Sequence, residues 1–509
     1  MKIQAMAEHK GLIITVLALL LGAGGLRAED AMTDTDITEA VMTRLVLDQA
    51  VASDSIEVTT NIGIVSLDGS VSNVLARRRA ETLAGTVRGV RGIINLISVD
   101  PPRLPDDTLE THVEQALLWE PALEGLEITV SADDGEIALD GVVDSWQERE
   151  LAETTAAGIR GVSSISNDIE VVFESERSDP EIMEEIEQAL RSNAYVDEHM
   201  VRVSVEDGDV KLSGTVGSMA EKNMATLEAW VYGVELVNNL DLRVDPAYRE
   251  GAERETRIVE VTDEELEEAI FDTYLYDPRV NPLNLDIDVS DGTVVIGGTV
   301  DNLKASRVAV SDARNVMGAL QVLDSIEVVT EDRPDQEIVS SIEDALARDA
   351  YVNGYDIQVT VEDGVVYLNG TVDSYFQKTR SEDVASGRRG VTGVRNLLEV
   401  DEPDYRAYDP YVDEWYLYDY GWYNPSTMNI GSGMTDYEIA QSIREQLFWS
   451  PFLDSDDIDV EVNGGVAVLT GTVDTWTEIE AAETSALRGG AEAVQNELIV
   501  SYGTGYMEP

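Results

Sequence analysis

The sequence contains no cysteine and only three histidines, His9, His112 and His199, in 509 residues. The first absence excludes disulfides, thiolate metal sites, cysteine nucleophiles and the lipid-modified cysteine of a bacterial lipoprotein. The second leaves almost no material for a histidine triad or a zinc site, and His112 and His199 read as single surface residues. Basic residues are also scarce: 35 lysines and arginines stand against 100 acids, a formal net charge of -65. That excess excludes nucleic acid as a partner, whose phosphates would be repelled, and it opposes simple adsorption to anionic lipid. With 43% apolar residues the chain still has material for folded cores, so the charge reads as solvation and mutual repulsion in a salty medium rather than as disorder.

Long apolar runs are missing except for one. Residues Met1 to Ala28 have a basic start (Lys2, Lys10), an apolar stretch from Leu12 to Leu21, and then Gly22, Ala23, Gly24 and Gly25, the layout of a secretory signal peptide at 1–28. The stretch is shorter than the roughly 20 residues that span a bilayer. Cleavage after Gly25 or Ala28 is therefore expected, and with it a periplasmic location; an uncleaved inner-membrane anchor or full secretion are the alternatives. The leader holds Lys2, Lys10 and Arg27 against Glu8, a net +2, so its removal takes -65 to -67.

What the chain has in abundance is repetition. The strand-like pattern L-x-G-x-V recurs with its glycine at Gly69, Gly141, Gly214, Gly298, Gly370 and Gly471, spaced by 72, 73, 84, 72 and 101 residues. Leu67, Leu139, Leu212, Ile296, Leu368 and Leu469 precede these glycines by two, and Val71, Val143, Val216, Val300, Val372 and Val473 follow by two. A period of two predicts a strand. Upstream, apolar residues at i, i+4 and i+8 (Ile37/Val41/Leu45, Ile182/Ile186/Leu190 and their counterparts) predict a helix. Capping boxes mark its start at Ser178–Glu181, Thr262–Glu265 and Thr435–Glu438. Asp134-Gly135, Asp207-Gly208, Asp291-Gly292, Asp363-Gly364 and Asn463-Gly464 predict tight hairpins. An alanine-rich helix and a closing strand complete the unit, as in Gly161-Val162, Ile165, Asn167 and Gly390-Val391, Val394, Asn396. Each unit is thus α-β-β-α-β over about 65 residues, and the fold class is α+β: six small tandem modules, each a three-stranded mixed sheet with two helices on one face.

This order of elements, with L-x-G-x-V and the later G-V-x-x-V-x-N, resembles the BON domain, named for an osmotically inducible periplasmic protein and for nodulation proteins. The resemblance covers residues 34–100, 106–173, 178–245, 262–330, 334–401 and 435–501, with a linker at 246–261 and a Tyr/Trp-rich acidic insert at 402–434. The fourth unit departs with Ala319 and Asp324, and the sixth with Ala491, so their last turns are expected to pack differently. The resemblance implies a non-enzymatic envelope module that binds phospholipid or mediates contacts near membranes, sometimes under osmotic stress, and it supplies no catalytic residue and no cofactor. The ruler glycines Gly69, Gly141, Gly214, Gly298, Gly370 and Gly471 are then expected to be structural, at a close backbone approach.

In the insert, Trp415, Tyr416, Tyr418, Tyr420, Trp422 and Tyr423 are candidates for an aromatic contact surface, or for a linker folding over its neighbours. Divalent cations are candidates for bridging acidic faces to lipid headgroups, but the run Asp286-x-Asp288-x-Ser290 fails as a calcium loop because Gly292 and Gly297 stand at the wrong positions. Paired carboxylates suit a glycosidase, yet 100 acids make chance pairs common and modules this small offer no deep cleft. Gly431-Ser432-Gly433 is not a nucleophile elbow. The expectation is an envelope binding protein whose modules act by avidity on phospholipid or an envelope protein, with a structural spacer or scaffold as the alternative and a glycan-active hydrolase last.

Overall fold

The computed structural model describes residues 32–500 apart from 52–54, 174, 176, 247–260, 331–332, 353–356, 401–433, 454 and 474. Among the described residues there are twelve α-helices, two per module, and one three-stranded sheet per module.

The chemistry of the first turn starts each module. Thr33, Ser178, Thr262 and Thr435 form capping boxes with Asp36, Glu181, Glu265 and Glu438, satisfying N–H groups that a helix end otherwise leaves open. The first helices run Asp34–Leu47, Asp106–Leu118, Asp179–Ser192, Asp263–Tyr276, Asp335–Arg348 and Asp436–Trp449. Their i, i+4, i+8 stripes are buried in all six modules, each large side chain contributing about 1.5–3 kcal/mol. Every one of these helices begins with an aspartate that reaches across to the hairpin turn of its own module. Asp34 accepts from the N–H groups of Ile62 and Gly63 at 2.8 Å, and Asp436 from those of Gly464 and Gly465 at 2.9 Å. Asp179, Asp263 and Asp335 make the same clamp, and Asp106 accepts from the N–H of Asp134 at 3.0 Å.

The hairpin strands are antiparallel, and the third strand lies parallel to the second, which is therefore central; in module 1 they are Ile56–Asn61, Ile64–Val71 and Gly92–Val99. Four hairpin turns fall at the Asp-Gly pairs that the sequence marks, with both residues in the left-handed region that type I′ turns require. Module 6 differs from expectation: Asn463 pairs with Val466, so the turn is Gly464-Gly465 and not Asn463-Gly464. Two successive glycines take two positive φ angles without strain, and they fix the register there. Module 1 turns at Ile62-Gly63, where glycine fills the second position but isoleucine stands at the first. In modules 4 and 5 the third strand lapses for two residues, giving Gln321–Asp324 with Glu327–Val328 and Gly393–Asn396 with Glu399–Val400.

The second helices open with Asn73, Ser145, Ser218, Asn302, Ser374 and Thr475 as side-chain caps. The closing asparagine then ties strand to helix. Asn95 Oδ1 accepts from the N–H of Ile97 two residues on, while its Nδ2 donates to Arg77 O at 3.1 Å and Glu81 Oε2 at 3.0 Å. Asn167 and Asn396 repeat all three bonds. The last turns of modules 4 and 6 keep the common geometry, contrary to expectation: Gly318 and Gly490 have φ of 106° and 99°, close to 102° at Gly161, and Ala319 and Ala491 are buried where Val162 is. The backbone is held by the glycine and the flanking turn, so a smaller side chain is accommodated without rearrangement. The real departure is Asp324, which accepts from Ile326 but has no amide to donate.

The modules pack on one another at recurring places. Arg78, nine residues past its ruler glycine, pairs with Glu150 and Glu153 of module 2; Arg307, nine past Gly298, pairs with Glu382 of module 5 at 2.7 Å. Trp146 and Gln147 donate to the carbonyls of Val234 and Trp230 in module 3, and Met219 of module 3 packs on the module 1 core. Modules 1, 2 and 3 thereby close a ring, while module 4 contacts module 5 and, through Arg314 and Glu480 at 3.4 Å, module 6. Between the two halves, a residue 19 past one ruler glycine donates its N–H to the carbonyl of a residue 22 before another. The bonds are Arg160 to Arg348 at 2.8 Å, Met317 to Ser192 at 2.8 Å and Arg88 to Trp449 at 3.1 Å. They join module 2 to 5, 4 to 3 and 1 to 6. Second helices are thus enclosed between modules, and each sheet turns its other face outward, where alternate residues are exposed.

Candidate functional site

The ruler glycines lie at the end of each hairpin ladder, opposite Ile56, Ile128, Val201, Leu285, Ile357 and Ile458. A Cβ on Gly69, Gly214 or Gly471 would stand 1.9–2.1 Å from a carbonyl oxygen of the residue preceding the first strand. Backbone atoms lie within 2.5 Å of a Cβ at Gly69, Gly141, Gly214, Gly298 and Gly471 alike. The aromatic candidates Trp415, Tyr416, Tyr418, Tyr420, Trp422 and Tyr423 lie outside the described residues.

Of the histidines, His199 is exposed beside Glu198. His112 is not the surface residue expected: it is partly buried, its Nδ1 makes no hydrogen bond, and burial together with the Arg348 guanidinium of module 5 lowers its pKa. The packing of module 2 on module 5 covers it, which a single-module reading does not reveal.

Two small pockets open between modules. One, of about 140 Å³, lies where modules 2, 4 and 5 meet and is lined by Arg279, Lys304, Glu120 and Asp301 among others. Arg279 Nε donates to both oxygens of Asp277, at 2.9 and 3.1 Å, and Lys304 Nζ stands 3.6 Å from Asp383. Burial lowers the Lys304 pKa against the pull of Asp383. Both cations therefore have carboxylate partners within the protein, and the pocket is an internal ion-pair network.

The other, of about 100 Å³, lies between modules 2, 3 and 4 and is lined by Glu185, Glu228, Asp272 and Asp312 with no lysine or arginine. Glu228 ends the second helix of module 3, and burial raises its pKa from 4.5 to about 7 against the Asn193 hydrogen bond that lowers it. Asp272 is raised by burial and by Glu268. Among the described residues no group of three or more such ligands is placed to hold a metal ion. Neither pocket brings a nucleophile to a base. Both escape a sequence reading because they exist only where distant modules meet.

The accessible surface includes the outer faces of the first helices, as at Glu184, Glu187, Glu264 and Glu268, and the outward sheet faces, most of which are acidic. Module 2 presents Asp133, Glu136, Asp140, Asp168 and Glu170, and module 6 presents Asp459, Glu461 and Glu497. No described helix is long and apolar enough to cross a membrane.

Against known proteins, the model of the BON domain matches residues 33–101, 105–172, 178–246, 262–330, 334–402 and 435–502. The osmotically-inducible protein Y of Escherichia coli is 32% identical over 143 residues, 27% of this chain and 71% of that protein. Among solved structures, the C-terminal domain of CdsD, a structural protein of the type III secretion system of Chlamydia trachomatis, aligns at 14% identity and a TM-score of 0.12. That alignment covers 42% of this chain and all of CdsD's. With the family pattern met six times in succession, and in each instance on the same helix, hairpin, helix and strand, the chain belongs to the BON domain family.

Proposed function

We propose that this is a non-enzymatic binding protein of the bacterial envelope, exported to the periplasm, whose six modules act together on phospholipid or on another envelope component under osmotic or envelope stress. The observation that carries it is the placement of surfaces: the second helices are enclosed between modules, while the outward sheets and the outer faces of the first helices are repeated around one body. Repetition favours many weak contacts over one deep pocket. The relationship to an osmotically-inducible protein supports the stress setting, and the leader-like residues 1–28 support export.

The acidic sheets make a protein partner at least as good a fit as lipid, with divalent cations as the bridge wherever lipid is anionic. Co-sedimentation of the full chain with neutral and anionic vesicles, with and without calcium, tests the lipid version. Pelleting with anionic vesicles only when calcium is present is the expected result, and no pelleting under any condition overturns it. The recurrence of equivalent contacts between modules also favours a scaffold reading over free beads, and small-angle scattering showing a compact body supports it.

A further inference from the structure

One outward sheet face carries more exposed aliphatic side chains than the others, module 3 following with Leu236 and Leu240 at 51 and 82%. That face belongs to module 1 and carries Ile64, Ile94 and Leu96, which are 45, 50 and 58% exposed. They lie close together, since Ile94 is paired with Ser66 and Leu96 with Asp68 in the parallel ladder. At the tip of the same hairpin stands Ile62, 71% exposed at φ 54°. That conformation is strained for a β-branched side chain, and in modules 2 to 5 the position is aspartate, which tolerates it. A strained, exposed isoleucine gains nothing inside its own module, so its role lies outside the module.

Charge singles out the same module. Residues 33–101 hold nine acids and six bases, a formal -3, whereas module 5, the next lowest, stands at -8 with 14 acids and six bases, and module 2 at -15 with 17 and two. Two chains of -65 repel on approach, and module 1 carries the smallest net charge of the six modules. The hydroxyls of Thr59, Ser66, Ser70 and Ser98 share this face with two exposed acids, Glu57 and Asp68, the second beside Leu96, and a contact about a two-fold axis uses the same patch on both copies.

We propose that this chain self-associates through module 1, the outward face of Ile64, Ile94 and Leu96 with the tip residue Ile62 packing on the same face of a second copy. A sheet of three strands and eight residues measures about 15 Å by 27 Å, roughly 400 Å² against the ~800 Å² per partner of a standard interface. The dimer is accordingly weak, in the micromolar range, and salt strengthens it by screening the remaining charge. This is independent of which ligand the outward faces take.

Sedimentation velocity on the full chain, from about 1 to about 200 µM at low and high salt, tests it. A monomer–dimer equilibrium that tightens with salt is expected, and Ile94→Asp/Leu96→Asp should weaken it at least tenfold. Leu240→Asp, an 82% exposed position on the sheet of module 3, should leave it unchanged. Unchanged circular dichroism in both variants shows that the fold is intact. The proposal is overturned by a monomer at all concentrations in high salt, or by equal dimerisation of the double variant. A monomer in which radical footprinting finds Ile94 and Leu96 shielded assigns the face to another part of the chain and also overturns it. So does capture by vesicles without self-association.

Discussion

Asn193 donates its side-chain amide to Glu228 at 2.6 Å, and the backbone on either side of this asparagine bonds module 3 to module 4 through Ala194 to Asn315 at 3.2 Å and Met317 to Ser192 at 2.8 Å. An ionisable carboxyl thus sits under a bridge between the two halves of the chain, facing a cavity with Asp272 and Asp312 and no cation.

The proton on Glu228 should therefore govern stability near neutrality. With a pKa raised from 4.5 to about 7, the folded state keeps a proton that the unfolded state has lost over that interval. Stability then falls as pH rises from about 4.5 to 7, by at most about 3 kcal/mol, and is level above. Glu228→Gln keeps an acceptor for Asn193 and removes the titration. Thermal unfolding should show the variant more stable than the native chain at about pH 8 and equal to it at about pH 4. An offset of the same size at both pH values would sink the idea.

Gly214 has φ 134°, and a Cβ there would lie 2.1 Å from Met200 O. Neither atom is at the end of a flexible side chain, so the strand or the turn before it must shift. Gly214→Ala should cost about 2–4 kcal/mol, read as faster amide exchange across Val201–Glu206 and Asp209–Val216. By contrast Gly125, with open space around it, should lose much less on the same substitution, through its φ of 86° alone.

Buried ion pairs give a third test. Arg79 Nε meets both oxygens of Asp48 at 2.9 Å, and Asp48 also accepts from the N–H groups of Ala50 and Val51. Both side chains are buried, as are their twins Arg380 and Asp349 in module 5. Asp48→Ala leaves a buried guanidinium without its carboxylate and should cost about 3–5 kcal/mol, whereas Asp48→Leu/Arg79→Met should cost less than the single change. Denaturant midpoints of the three proteins decide it, and a double variant worse than the single one refutes it.

The fold of each module was legible because its signals are local. Ile182, Ile186 and Leu190 share a helix face whatever else the chain does, and Asp207-Gly208 can form a type I′ turn without help. Where locality ended, so did legibility. Ile62 carries no turn chemistry, and the pairing of Asn61 with Ile64 is what reveals the turn. His112, Glu228 and Lys304 look like ordinary surface positions of a helix or loop, and each meets residues of another module. The recurring clamp of Asp34 on its hairpin, 28 and 29 residues distant, was present in the repeat but could not be told from the general excess of acid.

Asp324 is the one closing residue that natural variation has already changed, which makes it the sharpest test of the tie between third strand and second helix. Asn396, its counterpart in module 5, donates to Lys378 O at 2.8 Å and Glu382 Oε2 at 3.1 Å and accepts from Leu398. Asp324 keeps only the acceptor role, toward Ile326 at 2.9 Å, and it adds a negative charge near Tyr274, whose pKa is raised by burial and by Asp312 and Asp324. Asp324→Asn should therefore restore a donor toward the helix, stabilising module 4 by about 0.5–1.5 kcal/mol. Asn396→Asp should lose the donor and bring a carboxylate against Glu382, destabilising module 5 by about 1–3 kcal/mol. Amide exchange read separately in the two modules gives opposite signs if the tie is real. Equal signs, or no change at Asp324→Asn, would show that the asparagine acts only through its own strand.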